Sequence, residues 1–178
     1  GDGGGLGAAA AEAPGAGGES GESGESGVCG ERGIFPKAEW PTVAVLITAY
    51  KEADETIAKT VVGCARQVYP AQALHIFLLD DLQNQAMRDA RKATVTAAFD
   101  KCFDLGNGRS LPAHKRPGFS VVWRPDNSHA KAGNVNHWMT TGRNGYDYEY
   151  MMILDVDMVP GAFFVQEMLP CLLRVDRA

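Results

Sequence analysis

The chain has 178 residues, 45% hydrophobic and 22% charged, with a formal net charge of -5. The first 33 residues hold 13 of the 21 glycines, six Asp or Glu and one Arg, so the rest balances at 16 acids and 16 bases and shows no basic excess for binding nucleic acid. No apolar run approaches the ~18 residues of a membrane span, no basic and then apolar leader opens the chain, and Cys29, Cys64, Cys102 and Cys171 form no CxxC, which favours a reduced compartment over a disulfide framework or a zinc site.

Residues 1–33 read as a disordered Gly/Ser/Glu-rich tail, because they lack aromatics and almost all large apolar side chains. A short Gly-Glu-Ser repeat at Gly18–Ser26 fits a flexible linker. The first residue is not Met, which points to a fragment. Residues 34–178 are long enough for one domain with its own core. Ile34–Pro41, with two prolines and Trp40, leads the chain onto that domain.

Val43–Thr48 is a continuous β-branched and apolar run, the pattern of a strand buried on both faces. Asp54 is placed as a helix N-cap, with Ile57, Val61 and Ala65 at helical spacing and Tyr69-Pro70 as the stop. Leu74–Leu79 is a second strand, Leu82–Phe103 a helix, and Asp104–Gly118, punctuated by Gly and Pro, a loop. Phe119–Trp123 is a third strand, Arg124–Ala130 a polar loop, and Ala132–Thr141 a helix. Tyr148–Leu154 is a fourth strand, and Pro160 opens a last helix running to about Leu173. Trp123, Trp138, Met151 and Met152 are assigned to the core. Alternating strands and helices predict an α/β fold: a mostly parallel open sheet with flanking helices, joined by right-handed crossovers.

Ligands of such sheets bind beyond the carboxyl ends of the strands. Those ends carry Thr48-Ala-Tyr50-Lys-Glu52, Asp80-Asp81, the loop holding His129 and Lys131, and Asp155-Val-Asp157. Two carboxylates two residues apart can converge on one hard cation, Mg²⁺ or Mn²⁺, that shares phosphate oxygens with a substrate. Lys131, among small residues, is a natural counter-charge for a phosphate, and a helix starting beside it would add N–H donors. Each feature also has an ordinary reading: an acidic turn, a surface lysine, a boundary tyrosine, a capping aspartate.

Taken in order, five segments resemble the cellulose synthase-like, processive family 2 glycosyltransferases. They are Pro41-Thr-Val-Ala-Val-Leu-Ile-Thr-Ala-Tyr-Lys-Glu52, Gln67-Val-Tyr-Pro70, Phe77-Leu-Leu-Asp-Asp81, Arg124-Pro-Asp-Asn-Ser-His-Ala-Lys-Ala-Gly-Asn-Val-Asn136 and Ile153-Leu-Asp-Val-Asp-Met-Val-Pro160. The resemblance implies the GT-A fold, with residues 34–178 as the donor-nucleotide half of the catalytic domain. It implies that Thr48, Tyr50 and Glu52 line a uridine pocket, that Asp80 and Asp81 hold the base and ribose, and that His129 and Lys131 face the diphosphate. Asp155 and Asp157 would bind the divalent cation, Asp155 also contacting the donor. The activity implied is inverting transfer of a sugar, glucose first, from a UDP-sugar donor to a growing β-linked polysaccharide acceptor.

The same resemblance places the general base, an acceptor-binding segment and transmembrane helices downstream of Ala178. It therefore expects an inactive fragment of a membrane protein whose catalytic domain faces the cytosol. Lys51 stands where the family has Asn, and Leu82 where Gly commonly follows the paired aspartates. Two other readings stay open at this point. One is a non-catalytic UDP- and metal-binding module; the other is a DxD phosphohydrolase, which normally carries that motif on its first strand.

Overall fold

A computed structural model of the chain describes residues 40–143 and 145–175, all within the unit Glu31–Ala178. The tail assigned to residues 1–33 lies outside the described residues. Four strands form one parallel sheet: β1 (Val43–Ala49), β2 (Leu74–Asp80), β5 (Gly118–Trp123) and β6 (Tyr150–Asp155), in the order β5-β2-β1-β6. Central β1 is buried at all seven positions, as its unbroken apolar run predicts. The expected α/β class and parallel sheet are both present.

Alternation along the strands divides the core. Val43, Val45, Ile47, Ile76, Leu78, Met152 and Leu154 face one side. They pack against α1 (Asp54–Ala65), α2 (Gln85–Lys101) and α4 (Phe164–Val175), which contribute Ile57, Val61, Val95, Phe99, Val165 and Leu169. Ala44, Leu46, Phe77 and Leu79 face the other side and meet Trp138, just beyond α3 (Ala130–His137). Trp138 and Met152 are core residues as expected. Met151 is not: it and Ile153 project from the face of β6 opposite α1 and α4, and both are exposed. Trp123 is only half-buried, because it lies on β5, an edge strand that is part-exposed along its whole length; its indole N–H donates to the Asp80 carboxylate at 3.2 Å.

Element boundaries shift where side chains capture the backbone. Helix α1 starts at Asp54 itself, with Ala53 as its cap residue. The Asp54 carboxylate is taken by Arg91 at 2.7 Å and leaves the cap position without a side-chain bond. Helix α2 starts at Gln85, because Asn84 caps it by accepting from Met87 N at 3.1 Å. The expected loop at Asp104–Gly118 contains a small hairpin, β3 (Asp104–Gly106) and β4 (Arg109–Ser110). Its tip, Gly106-Asn107-Gly108, has three successive left-handed residues. Helix α3 begins two residues earlier than expected and continues as a π-helical turn over Trp138–Gly142. Helix α4 begins at Phe164 rather than near Pro160, because the intervening chain is tied down. Gln67 Nε2 donates to Gly161 O at 2.7 Å and Val68 N to Ala162 O at 2.7 Å.

At the amino end of the sheet, His75 stacks on Phe77 at 4.1 Å between ring centroids. Its two nitrogens reach Ser120 Oγ at 3.0 Å and Tyr148 Oη at 2.9 Å. Burial pushes the His75 imidazole down from 6.5 to about 4. The unfolded ring therefore gains a proton at a pH where the folded ring stays neutral. Stability should fall as pH drops from 6.5 towards 4 and be insensitive to this residue above 6.5. Allowing for the ring's partial exposure, the loss between pH 7 and pH 5 should be about 1 kcal/mol. Urea unfolding at both pH values should show this loss in the native chain and not in His75→Gln; an equal loss in both would exclude His75 as its source.

Candidate functional site

The parallel register aligns the carboxyl ends of the strands. Ala49 lies opposite Asp80, Asp80 opposite Trp123, and Thr48 opposite Asp155. The expected rim is therefore real: one row carries the ends of β1, β2, β5 and β6. A cleft of about 320 Å³ opens on it, lined by Thr48, Tyr50, Glu52, Asp81, Lys131 and Asn134, with Ala49, Asn127 and Ala130 between them. Five of the nine residues singled out from sequence thus share one cavity: Thr48, Tyr50, Glu52, Asp81 and Lys131.

The loop after β1 is held from within. Glu52 turns back and accepts from Tyr50 N at 2.6 Å. This exposes the Tyr50 ring, beside Asn127 Nδ2 at 3.4 Å from its hydroxyl and beneath the Lys51 ammonium at 4.9 Å. Arg91, reaching across from α2, donates to Tyr50 O at 3.1 Å and Glu52 O at 2.8 Å. The same guanidinium pairs with Asp80 at 2.9 Å and Asp54 at 2.7 Å.

The adjacent aspartates divide as strand geometry requires, onto different partners. Asp80 is fully buried. It accepts from Arg91, from Trp123 Nε1 and from Leu82 N at 3.1 Å, and does not line the cleft. Asp81 lines the cleft and holds Arg124 in a two-pronged pair, with Nη2 at 2.7 Å from Oδ2. Neither caps the next helix. The Asp81 hydrogen bond raises the already high pKa of Arg124.

The Arg124 guanidinium also donates to two carbonyls of the following loop, Ser128 O and Ala130 O, the latter at 2.9 Å. His129 and Ala130 both have left-handed backbone, at φ 60° and 46°. Such conformations in non-glycine residues persist only where the surroundings enforce them. A Cβ at Gly133 would overlap Ser128 O and Arg124 Nη1, so glycine is required there. Asp126 closes the loop by accepting from Ser128 N at 2.9 Å and Ser128 Oγ at 2.6 Å, and those bonds hold its carboxyl below the usual range. His129 is the cap residue of α3, makes no side-chain cap bond and is not among the cleft-lining residues.

Lys131, on the first turn of α3, forms an ion pair with Asp155 at the end of β6, both side chains being about half exposed. The turn after β6 is anchored by the residue between the two aspartates. Val156 is buried, and its carbonyl accepts from Thr60 Oγ1 at 2.5 Å. Met158 N closes the turn on Asp155 O at 2.9 Å. Burying Val156 leaves Asp155 and Asp157 exposed on either side of it. Among the described residues no three His, Cys, Asp or Glu gather as a closed metal site.

Sequence reasoning missed Arg91, Arg124 and Asn134. Asn134 is buried, donates to Leu79 O at 2.9 Å, and leaves its Oδ1 without a protein partner where it lines the cleft. The signal for the arginines was present, since two acids at a buried strand end need buried cations. Periodicity gave no means of choosing which cations.

In an open parallel α/β sheet, the carboxyl rim on which this polar cleft opens is the usual place for a ligand. No protein-family profile matches the chain. It is similar to cellulose synthase 1 catalytic subunit (UDP-forming) of Komagataeibacter xylinus, at 31% identity over 130 residues, covering 72% of this chain and 14% of that protein. The cellulose synthase catalytic subunit (UDP-forming) of Pseudomonas fluorescens is 29% identical over 136 residues, 76% of this chain and 15% of that protein. Cellulose synthase 1 of Novacetimonas hansenii is 30% identical over 128 residues, 72% of this chain and 6% of that protein. Over about three quarters of its length the chain is thus similar to cellulose synthases, and it spans a small fraction of the length of these curated relatives. Among the described residues no helix is long and apolar enough to cross a membrane.

Proposed function

We propose that this chain carries the UDP-sugar-binding half of a GT-A glycosyltransferase that extends a β-linked polysaccharide with inversion, glucose being the favoured sugar. The observation that supports this reading best is the convergence of Tyr50, Glu52, Asp81 and Lys131 in one cleft, with Lys131 paired to the first aspartate of Asp155-Val-Asp157. The exposed Tyr50 ring offers a stacking face for a base. Asp81, whose two oxygens are bonded by Arg124, retains lone pairs for a ribose hydroxyl. Asp80 acts one layer deeper, through Arg91, on the shape of the Tyr50–Glu52 loop. His129 borders the diphosphate from the loop before α3.

Lys131 is placed to neutralise the charge that grows on a departing UDP, an electrostatic stabilisation of the leaving group. Asp155 and Asp157 fit a cation that takes few protein ligands and completes its shell with water and phosphate oxygens, as Mg²⁺ and Mn²⁺ do. Such a cation would add positive charge at the same diphosphate. The acceptor polysaccharide, the general base and attachment to a membrane are assigned to segments outside this sequence, with this half facing the cytosol.

Calorimetric titration of the 178-residue chain with UDP in the presence of MnCl₂ tests the reading. Saturable binding, weakened roughly tenfold or more by Lys131→Ala, is expected. No binding at millimolar UDP would overturn it.

A further inference from the structure

Arg124 has no role in the nucleotide contacts proposed above, yet its guanidinium makes four hydrogen bonds beside the cleft. Its guanidinium is almost entirely buried and reaches both oxygens of Asp81, at the end of β2. On its far side it holds the carbonyls of Ser128 and Ala130. Those carbonyls flank His129, and the left-handed pair His129-Ala130 directly precedes Lys131. The loop is thus bent into an unfavourable conformation around one guanidinium, and Gly133 is the position that leaves room for it. From the other direction, Arg88 Nη2 donates to Arg124 O at 3.1 Å and fixes the residue's own backbone.

We propose that Arg124 is a positioning residue. Clamped to Asp81, it sets the Ser128–Ala130 turn so that the Lys131 ammonium is presented to Asp155 and the cleft. A lysine at position 124 would keep the charge for Asp81 but lacks the planar fork needed to bond carboxylate and both carbonyls together. The geometry stands on its own, while its functional importance rests on the reading of Lys131 as the phosphate-facing cation.

The test uses the full chain with Arg124→Lys, Asp155→Asn and the double variant. Brief acetic anhydride labelling followed by mass spectrometry reads the reactivity of each lysine without any ligand. Arg124→Lys should speed labelling of Lys131 about fivefold and leave Lys59 unchanged. Asp155→Asn should do the same, and the double variant should be no faster than either single one, because both break one pairing. A rise at all lysines, showing general loosening, would overturn the clamp; so would no change at Lys131, or multiplying effects in the double variant. A second arm reads UDP affinity with MnCl₂. Arg124→Lys should weaken binding in the native background and have no further effect in Lys131→Ala, whereas equal losses in both backgrounds would overturn the proposal. Failure of the unaltered chain to bind UDP would overturn the donor-site reading alone, with the labelling arm still deciding the clamp.

Discussion

Arg91→Met should destabilise the chain by roughly 3–5 kcal/mol, among the largest effects of any single side-chain replacement at this site. The substitution removes the ionic partner of Asp80, a carboxylate with no solvent exposure. It also frees the carbonyls of Tyr50 and Glu52 and the Asp54 carboxylate at the start of α1. Asp80 would keep the N–H groups of Leu82 and Trp123, which soften the loss without supplying a charge. Asp80→Asn combined with Arg91→Met should be less destabilised than the sum of the single changes, with a coupling of about 2 kcal/mol, since no charge is then buried alone. Urea unfolding of the three variants reads both quantities. A cost below about 1 kcal/mol for Arg91→Met would show that the buried pair contributes specificity and little stability.

Asp155→Asn should change UDP affinity in opposite directions with and without a divalent cation. In EDTA the native Asp155 carboxylate competes with phosphate for Lys131 and repels the incoming anion. Removing its charge should tighten binding about threefold to fivefold, the scale of a half-exposed pair. In MnCl₂ the same change deletes one of two carboxylates available to the cation and should weaken binding roughly tenfold or more. Asp157→Asn, which leaves Lys131 paired, should weaken binding in MnCl₂ and do nothing in EDTA. Calorimetry on both variants in both buffers supplies the comparison. The same direction of change for Asp155→Asn in both buffers would rule out a shared role in holding Lys131 and a cation.

Much of this arrangement is legible in the amino-acid order. The unbroken runs of β1 and β2 report strands buried on both faces, and their polar ends mark the rim. From there the rim follows by topology, and five of the nine residues it marks, Thr48, Tyr50, Glu52, Asp81 and Lys131, line the cleft. Strand β6 is only partly legible. Its apolar letters Met151 and Ile153 match those of a buried strand, but one of its faces is left open. That Asp80 and Asp81 face different ways follows from strand alternation, but which of them is buried, and against which cation, is not legible. A charged residue reads as exposed in any pattern, and its burial depends on a cation placed by tertiary structure: Arg91 on α2 for one, Arg124 beyond β5 for the other. Gln67 is a further case. As a lone polar residue after α1 it carries no period, yet its amide ties the end of α1 to Gly161 and Val165, beyond the Asp155-Val-Asp157 turn.

Central β1 joins partners of very different separation along the chain. Its pairing with β2 closes a short crossover, whereas Thr48 meets Leu154 across 106 residues. Long closures form late, because their entropy is lost before their contacts are gained. The two walls of the cleft are therefore expected to mature at different moments: the Tyr50 and Asp81 side with the first crossover, the Asp155 side when β6 docks. A ligand that spans both walls selects only chains whose sheet is complete. At a hundred times its dissociation constant it would add about 2.7 kcal/mol to the docked state. Nucleotide occupancy and assembly of the fourth strand would then be one linked equilibrium, read as a rise in melting temperature with ligand and as late protection of the β6 amides during refolding.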